Sequence, residues 1–290
     1  MNHRNALLAI HFGALLFGLT GVLGKLAQTT PVMITGGRAL FAVIALALFA
    51  RLAGPGSGTR PTGRQRLLLA LGGILLGAHW LTFFHAVKIS GVAIATLGFA
   101  SFPAFTLLLE SLLFRERLHW PEYLAVALVC LGLVLVTPHF EWASEATQGL
   151  AWAVLSGLLF SLVSLLNRAS TRGLDSVQAA LWQNLAIVAC LLPFAAPLVP
   201  TVSAMDWLWI AVLGVFCTGL SHSLFVASLR VLNARTTSVI LALEPVYGIS
   251  VAWLLFHEQP TLRMLAGGAL IILATVVTSR FATPKVQPPH

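Results

Sequence analysis

Long apolar stretches separated by short polar connections run along almost the whole chain. A helix that crosses the hydrocarbon core of a bilayer needs about 20 predominantly apolar residues, and such stretches recur. They lie at about residues 6–26, 31–52, 66–87, 91–114, 120–137, 148–168, 176–198, 206–228, 236–256 and 261–281. The pattern therefore predicts an all-α polytopic membrane protein with ten transmembrane helices.

The connections leave no room for a separate soluble domain. The longest, residues 51–66, is rich in Gly, Pro and Arg and predicts a flexible loop, while residues 284–290 predict a disordered tail. Of the 290 residues, 58% are hydrophobic and 9% are charged, whereas soluble domains carry about 25% charged residues. We therefore expect a lipid bilayer as the environment, with the cell inner (plasma) membrane as the location.

Basic residues are concentrated in alternate connections. The formal net charge of +8 suggests a nucleic-acid partner, but the basic residues form no stripe with interleaved aromatics, so none is expected. Cytoplasmic loops are rich in Lys and Arg. A cytoplasmic N-terminus leaves only Lys25, Lys88 and Arg263 on the outer side, and it also makes the C-terminus cytoplasmic.

Common cofactor and enzyme motifs are missing from the sequence. The three cysteines stand isolated in apolar stretches without metal-ligand spacing, so neither a metal nor a disulfide is expected. The segment GLTGVLGKL (18–26) has Leu19 and Leu26 where a phosphate-binding loop needs Gly and Ser or Thr, which excludes a nucleotide cofactor there. HExxH and GxSxG are absent, so an enzyme is not expected, although a Ser/His pair within the membrane stays an alternative.

The two halves of the chain repeat one pattern at a nearly constant spacing. Pro103 pairs with Pro245 at an offset of 245 − 103 = 142 residues. Offsets of 142 or 143 also pair Gly77 with Gly219, Phe83 with Phe225, Lys88 with Arg230, Phe114 with Phe256, Glu116 with Glu258, Phe17 with Phe160 and Lys25 with Arg168. These matches predict a duplication into two five-helix repeats, at residues 1–140 and 141–283.

Because each repeat holds an odd number of spans, the second copy would enter the membrane upside down. Inverted repeats of this kind place substrate near the midplane between the halves, and rocking of one half against the other exposes the site to each side in turn. The arrangement favours a transporter working by alternating access over an enzyme, for which the inverted duplication offers no evident benefit.

Two pairs of segments carry a resemblance to a known family. PAFTLLLESLLFRERL (103–118) followed by LGLVLV (131–136), and LEPVYGISVAWLLFHEQPTL (243–262) followed by GGALIIL (267–273), resemble the drug/metabolite transporter superfamily, EamA type, and Arg38 in GGRALFA fits the second helix of that family. The His-containing, aromatic third span is most similar to that of the YddG-type amino-acid exporters. The resemblance implies a secondary exporter of amino acids, aromatic ones among them.

Glu244 and Pro245 lie within the apolar run 236–256. Intramembrane carboxylates are rare and usually face a cavity or a partner, so Glu244 is a candidate for binding a substrate ammonium group or a proton. The alternative is a structural carboxyl that bonds backbone groups freed by Pro245. Pro103 and Pro245 each remove a backbone donor and bend the helix, which makes them candidate gating residues; static kinks are the alternative.

The third and eighth runs carry aromatic and polar residues on matching faces, which predicts a cavity for small amphipathic solutes. Core packing with hydrogen-bonded histidines is the alternative. Gly73 and Gly77 form a GxxxG pattern, which predicts a close helix contact. The candidate substrate-binding residues of the whole chain are His79, Trp80, Phe83, Ser101, His222, Phe225, Glu244, Tyr247 and Arg38.

Three roles fit Arg38 in the second run. It can hold a substrate carboxylate through two parallel hydrogen bonds, extend outward to the membrane surface, or pair with Glu110. Gln183 and Asn184 in the seventh run are expected to form interhelical hydrogen bonds.

The sequence thus predicts a secondary transporter that exports amino acids and related small metabolites, with a small-molecule substrate as its partner and protons as a candidate coupling ion. An uncoupled facilitator or channel, and an exporter of other drugs, cations or metabolites, remain alternatives.

Overall fold

The computed structural model describes residues 2–52, 61–114, 118–137, 141–170, 174–229 and 231–281. Within these ranges every regular element is helical. The predicted tail at 284–290, residues 53–60 of the connection 51–66, and the paired residues Glu116 and Arg230 lie outside the described residues.

Twelve α-helices follow one another in the described part of the chain. They are α1 (His3–Leu26), α2 (Pro31–Leu52), α3 (Gly63–Phe99), α4 (Phe102–Phe114), α5 (Trp120–Val136), α6 (Glu145–Ser170), α7 (Ser176–Ala195), α8 (Ala204–Gly214), α9 (Ser221–Leu229), α10 (Ala234–Leu241), α11 (Glu244–Phe256) and α12 (Leu262–Phe281). A 3₁₀ turn, Ala196–Thr201, follows α7, and a π-helical segment, Val215–Leu220, joins α8 to α9.

Eight helical runs in the described residues are long and apolar enough to cross a membrane, and two shorter apolar helices, Phe102–Leu113 and Trp120–Val136, accompany them. The chain is therefore a multi-pass membrane protein. The number of ten spans and the cytoplasmic termini stay predictions.

The fourth and ninth predicted runs are each interrupted near the middle. Gly91, at φ 82°, separates the third run from the fourth inside α3. The fourth run then breaks between Phe99 and Phe102, just before Pro103, and the ninth breaks at Ala242 and Leu243, just before Pro245. Because proline has no N–H to donate to the carbonyl four residues earlier, each proline begins a new helix rather than bending a continuous one.

The hydrogen bonds at the first break repeat at the second. At the first, the N–H groups of Ala100 and Ser101 bond the carbonyl oxygens of Thr96 and Gly98 at 3.0 and 3.2 Å. At the second, Ala242 and Leu243 bond Ser238 and Ile240 at 3.0 and 3.1 Å. All four pairs of positions are related by an offset of 142, as at 242 − 100. The duplication seen in the sequence is thus present in backbone geometry.

The first helix of each repeat packs on the broken helix of the other repeat. Helix α1 packs against α9 and α11, and α6 packs against α3 and α4. Gly18 lies against the carbonyl oxygen of Glu244, and its counterpart Ser161 donates to the carbonyl oxygen of Phe102 at 2.7 Å. The repeats are therefore intertwined rather than side by side.

Glycines bring α3 against α7, as the GxxxG pattern predicts. A Cβ on Gly73 would collide with the carbonyl oxygen of Gln183, and one on Gly77 would lie 3.4 Å from Ile187. Gln183 bonds Asn167 of α6 at 2.6 Å, which confirms its interhelical role. Asn184 instead donates to the carbonyl of Ala180 in its own helix.

The two ends of the helix bundle are packed differently. At the end carrying Lys25, that side chain pairs with Glu258, and the second carboxylate oxygen of Glu258 accepts the N–H of Val92 at 3.1 Å. Lys88 donates to the carbonyl of Ala27 at 2.5 Å. Helices α1 and α3 touch there, and α3 touches α11. This end is closed.

At the opposite end Arg168 pairs with Glu110 at 2.6 Å. At the Lys25 end, α1 packs against α3, and α3 packs against α11. Within the described residues, the repeat-related pairs at the Arg168 end lack comparable packing: α6 against α8 or α9, and α4 against α9. The repeat-related contacts that close the Lys25 end are therefore loosened at the Arg168 end.

Candidate functional site

The break between α10 and α11 places a carboxylate where the two repeats meet. Glu244 is the first residue of α11, and Pro245 follows it. A Cβ on Gly18 would lie 2.7 Å from the carbonyl oxygen of Glu244 and 2.9 Å from the backbone nitrogen of Gly248. Only glycine allows α1 to approach this closely, so Glu244 lies directly beside the first repeat.

Arg38 of α2 reaches the second repeat at the π-helical segment. Its Nε donates to Thr218 Oγ1 at 2.7 Å, and its Nη2 lies 3.4 Å from the carbonyl oxygen of Cys217. The guanidinium carbon lies 4.0 Å from the centroid of the Trp80 ring, a cation–π contact. Thr218 donates in turn to the carbonyl of Leu213. Insertions of π-helix often occur at functional sites.

The position of Arg38 decides between its three predicted roles. Its side chain is 4% exposed, so it does not extend to the membrane surface. Glu110 bonds Arg168 and is not the partner of Arg38. No ion pair within 4.0 Å joins Arg38 to Glu244, but α1 packs against both the π-helical segment that Arg38 bonds and α11, which begins at Glu244. The substrate-carboxylate role stays a prediction.

An aromatic cluster surrounds the other break, between α3 and α4. The ring centroids of His79 and Phe160 lie 5.0 Å apart, as do those of His79 and Phe99. Phe99 stacks on Phe102 at 5.3 Å. His79 Nδ1 is 2.7 Å from Ser156 Oγ, so the imidazole is buried and hydrogen-bonded, as the packing alternative expects. Phe83 joins the cluster at 5.9 Å from Phe99.

The remaining candidates lie around these two centres. Ser101 is buried and donates to the carbonyl oxygen of Gly98, which stabilises the first break. Tyr247, one turn after Glu244, has its hydroxyl 3.0 Å from His11 Nδ1 of α1. His222 and Phe225 are partly buried on α9, with ring centroids 6.3 Å apart.

The structure thus groups the candidates by repeat. One polar group contains Arg38 and Trp80. A second contains Glu244 and Tyr247. His79 and Phe83 belong to the aromatic cluster. Reasoning from sequence missed Ser156, Thr218 and His11. Ser156 lies one turn before Phe160, whose match with Phe17 was visible in the sequence.

This arrangement offers a cation and a carboxylate on opposite repeats, together with flat apolar surfaces. Such groups can bind and orient a small organic ion. No cluster of His, Cys, Asp and Glu that could hold a metal occurs among the described residues.

Comparison with known proteins identifies the family. The EamA-like transporter family matches the chain twice, at residues 4–137 and 147–280. The two matches together cover most of the chain, one in each predicted repeat.

Several curated relatives are transporters. An uncharacterized transporter of Archaeoglobus fulgidus is 29% identical, over 94% of this chain and 95% of its own length. A probable terminal-alkyne amino-acid exporter of Streptantibioticus cattleyicolor is 27% identical, over 84% and 82%. An S-adenosylmethionine uptake transporter of Rickettsia conorii is 25% identical, over 76% and 74%.

A solved crystal structure shares the fold. It superposes with a TM-score of 0.67 at 20% identity and covers 97% of this chain and 98% of its own. The repeated family match and the apolar helices agree on one assignment: the chain belongs to the EamA-like transporter family, in the drug/metabolite transporter superfamily, and is a membrane transporter.

Proposed function

We propose that this protein is a secondary transporter that exports amino acids, aromatic ones among them, and related small metabolites across the inner membrane by alternating access. The observation that carries the proposal is the pair of helix breaks, 142 residues apart, each of which packs against the first helix of the other repeat. Inverted-repeat transporters bind substrate at discontinuous helices near the membrane midplane.

Amino acids suit the chemistry of the candidate residues. Arg38 and Glu244 match a carboxylate and an ammonium group, and the rings around Phe99 offer apolar surface to an aromatic side chain. The resemblance to a probable amino-acid exporter points the same way.

The transport cycle starts from the conformation described above. With the predicted orientation, the closed end at Lys25 and Glu258 faces outward, so the loosened end at Arg168 faces the cytoplasm. An exporter loads its substrate from that side. Rocking then packs α6 against α8 and α9 of its own repeat and separates α1 from α3. The outer end opens, and substrate is released outside.

Counterflow in proteoliposomes tests the function. Vesicles containing purified protein are loaded with unlabelled phenylalanine, and uptake of labelled amino acids is followed with and without a pH gradient. We expect loaded proteoliposomes to take up label faster than unloaded proteoliposomes, because a carrier that returns with bound substrate reorients faster than an empty one. Flux without such acceleration supports an uncoupled facilitator, and no exchange of any amino acid contradicts the proposal. Dependence on the pH gradient identifies protons as the coupling ion.

Transport of S-adenosylmethionine is the second candidate function, favoured by the relatives in Rickettsia. This solute joins an amino-acid end to a flat adenine ring, and both parts suit the groups described. Including it in the same panel ranks the two substrates directly.

A further inference from the structure

Three polar groups at the junction of the repeats have no partner within the described residues. Nη1 of Arg38 is buried without a hydrogen-bond acceptor. Oγ1 of Thr35, one turn earlier on the same face of α2, is also buried without a partner. No hydrogen bond within the described residues involves the carboxylate of Glu244, and that residue is partly buried. Unsatisfied polar groups are costly inside a membrane, so these groups are suited to a ligand.

The Arg38 guanidinium is held in place before any ligand arrives. Thr218 fixes Nε at 2.7 Å, and the Trp80 ring covers one face of the guanidinium group. The free Nη1 therefore has a fixed direction. A preorganised donor binds a carboxylate without paying again for side-chain ordering.

Charge balance selects the kind of ligand. Arg38 bonds the π-helical segment and Glu244 begins α11, and α1 packs against both elements, so a guanidinium cation and a carboxylate lie at one junction without forming a direct ion pair. A ligand that is itself neutral overall, with separated positive and negative ends, leaves this balance unchanged. A purely cationic or anionic ligand adds an uncompensated charge, which is expensive in a low-dielectric interior.

Building on the proposed function, we propose that Arg38 and Glu244 form a clamp for zwitterions. The substrate carboxylate binds Arg38 Nη1, assisted by the Thr35 hydroxyl, and the substrate ammonium group binds the Glu244 carboxylate. Because the two residues belong to different repeats, the bound zwitterion joins the halves. The clamp thereby selects α-amino acids over their amides and over their deaminated acids.

A matched series of inhibitors tests the clamp. Counterflow of labelled phenylalanine is inhibited with phenylalanine, with phenylalaninamide, which lacks the carboxylate, or with 3-phenylpropionate, which lacks the ammonium group. We expect phenylalanine to inhibit the wild-type protein best. In Arg38→Gln, the ratio of inhibition by phenylalanine to inhibition by phenylalaninamide should fall at least about tenfold, since a hydrogen bond to a charged group contributes that much to affinity.

Glu244→Gln should lose the other discrimination, that against 3-phenylpropionate. The controls Arg168→Gln and Glu110→Gln remove an ion pair at the bundle end and should keep both ratios. If each clamp variant keeps the wild-type ratios, or if both ratios change alike in each variant, the clamp is wrong while amino-acid transport stands. If the wild-type protein exchanges no amino acid, the proposed function itself fails.

Milder variants test the clamp if the first two variants fail to fold or to transport. Thr218→Val removes the oxygen that orients Arg38 but keeps its charge, and Glu244→Asp withdraws the carboxylate by one methylene. Thermal stabilisation of the purified protein by each of the three compounds reports binding without transport. We expect Thr218→Val to lose the preference for phenylalanine over phenylalaninamide. We expect Glu244→Asp to lose the preference for phenylalanine over 3-phenylpropionate. Unchanged preferences in both would overturn the clamp.

Discussion

Single residues without side chains decide how closely the repeats approach. Gly18 allows α1 to lie against the start of α11, where a Cβ would come within 3 Å of backbone atoms of Glu244 and Gly248. Backbone atoms of a helix cannot move aside individually, so an added methyl group must displace a whole helix.

Gly18→Ala should therefore destabilise the protein. Overpacking of a tight contact typically costs about 1–3 kcal/mol, so we expect a lower thermal midpoint in detergent and slower amino-acid exchange. Gly63→Ala is the matched control, because a Cβ there meets nothing within 4 Å. Equal midpoints for the two variants would show that the contact at Gly18 tolerates a side chain.

At the scale of elements, the sequence predicted the symmetric interruption but not its form. The shared offset of Pro103 and Pro245 placed both interruptions correctly, because a missing N–H acts locally. The π-helical segment at Val215–Leu220 left no such signal. Arg38 bonds Thr218 within this segment, and that contact joins parts of the chain 180 residues apart.

Restoring the missing donors should impair transport. Pro103→Ala and Pro245→Ala each allow a backbone bond to the carbonyl four residues earlier, which favours a continuous helix through the break. We expect each variant to exchange amino acids several-fold more slowly at equal protein content in counterflow.

Pro121→Ala serves as the control for the proline variants, since Pro121 lies in the first turn of α5, away from either break. Wild-type exchange rates in both break variants would mean that the interruptions serve packing alone.

At the scale of the whole molecule, the asymmetry between the two ends defines the conformational state. The repeat pattern predicted two related halves, and the family match supports it. It did not predict which end is closed, because the two halves carry the same pattern and the pattern does not distinguish one end from the other. The pairing of Lys25 with Glu258 became visible only when residues 233 positions apart were brought together.

Glu258→Gln should weaken the closed end, since the neutral amide loses the ion pair with Lys25. A cysteine placed at Ala27, which is buried beside this end, reports its opening when Cys130, Cys190 and Cys217 are replaced by Ala. We expect an impermeant maleimide added outside to label Ala27→Cys faster in the Glu258→Gln background.

Glu122→Gln provides the comparison for this labelling experiment, because its carboxylate caps the start of α5 and lies outside the closed end. Unchanged labelling in Glu258→Gln would show that helix packing, rather than the ion pair, holds the end shut.

The crossing of the first helices has a consequence for biosynthesis. Helix α1 leaves the ribosome well before its partners α9 and α11, which lie more than 190 residues later in the chain. Until then, a surface shaped for protein contact faces lipid or the insertion machinery. The nascent first half cannot complete its own packing, so quality control must tolerate an unfinished helix throughout synthesis of the second half. A chain truncated between the repeats would keep that unfinished surface permanently, which marks it for proteolysis.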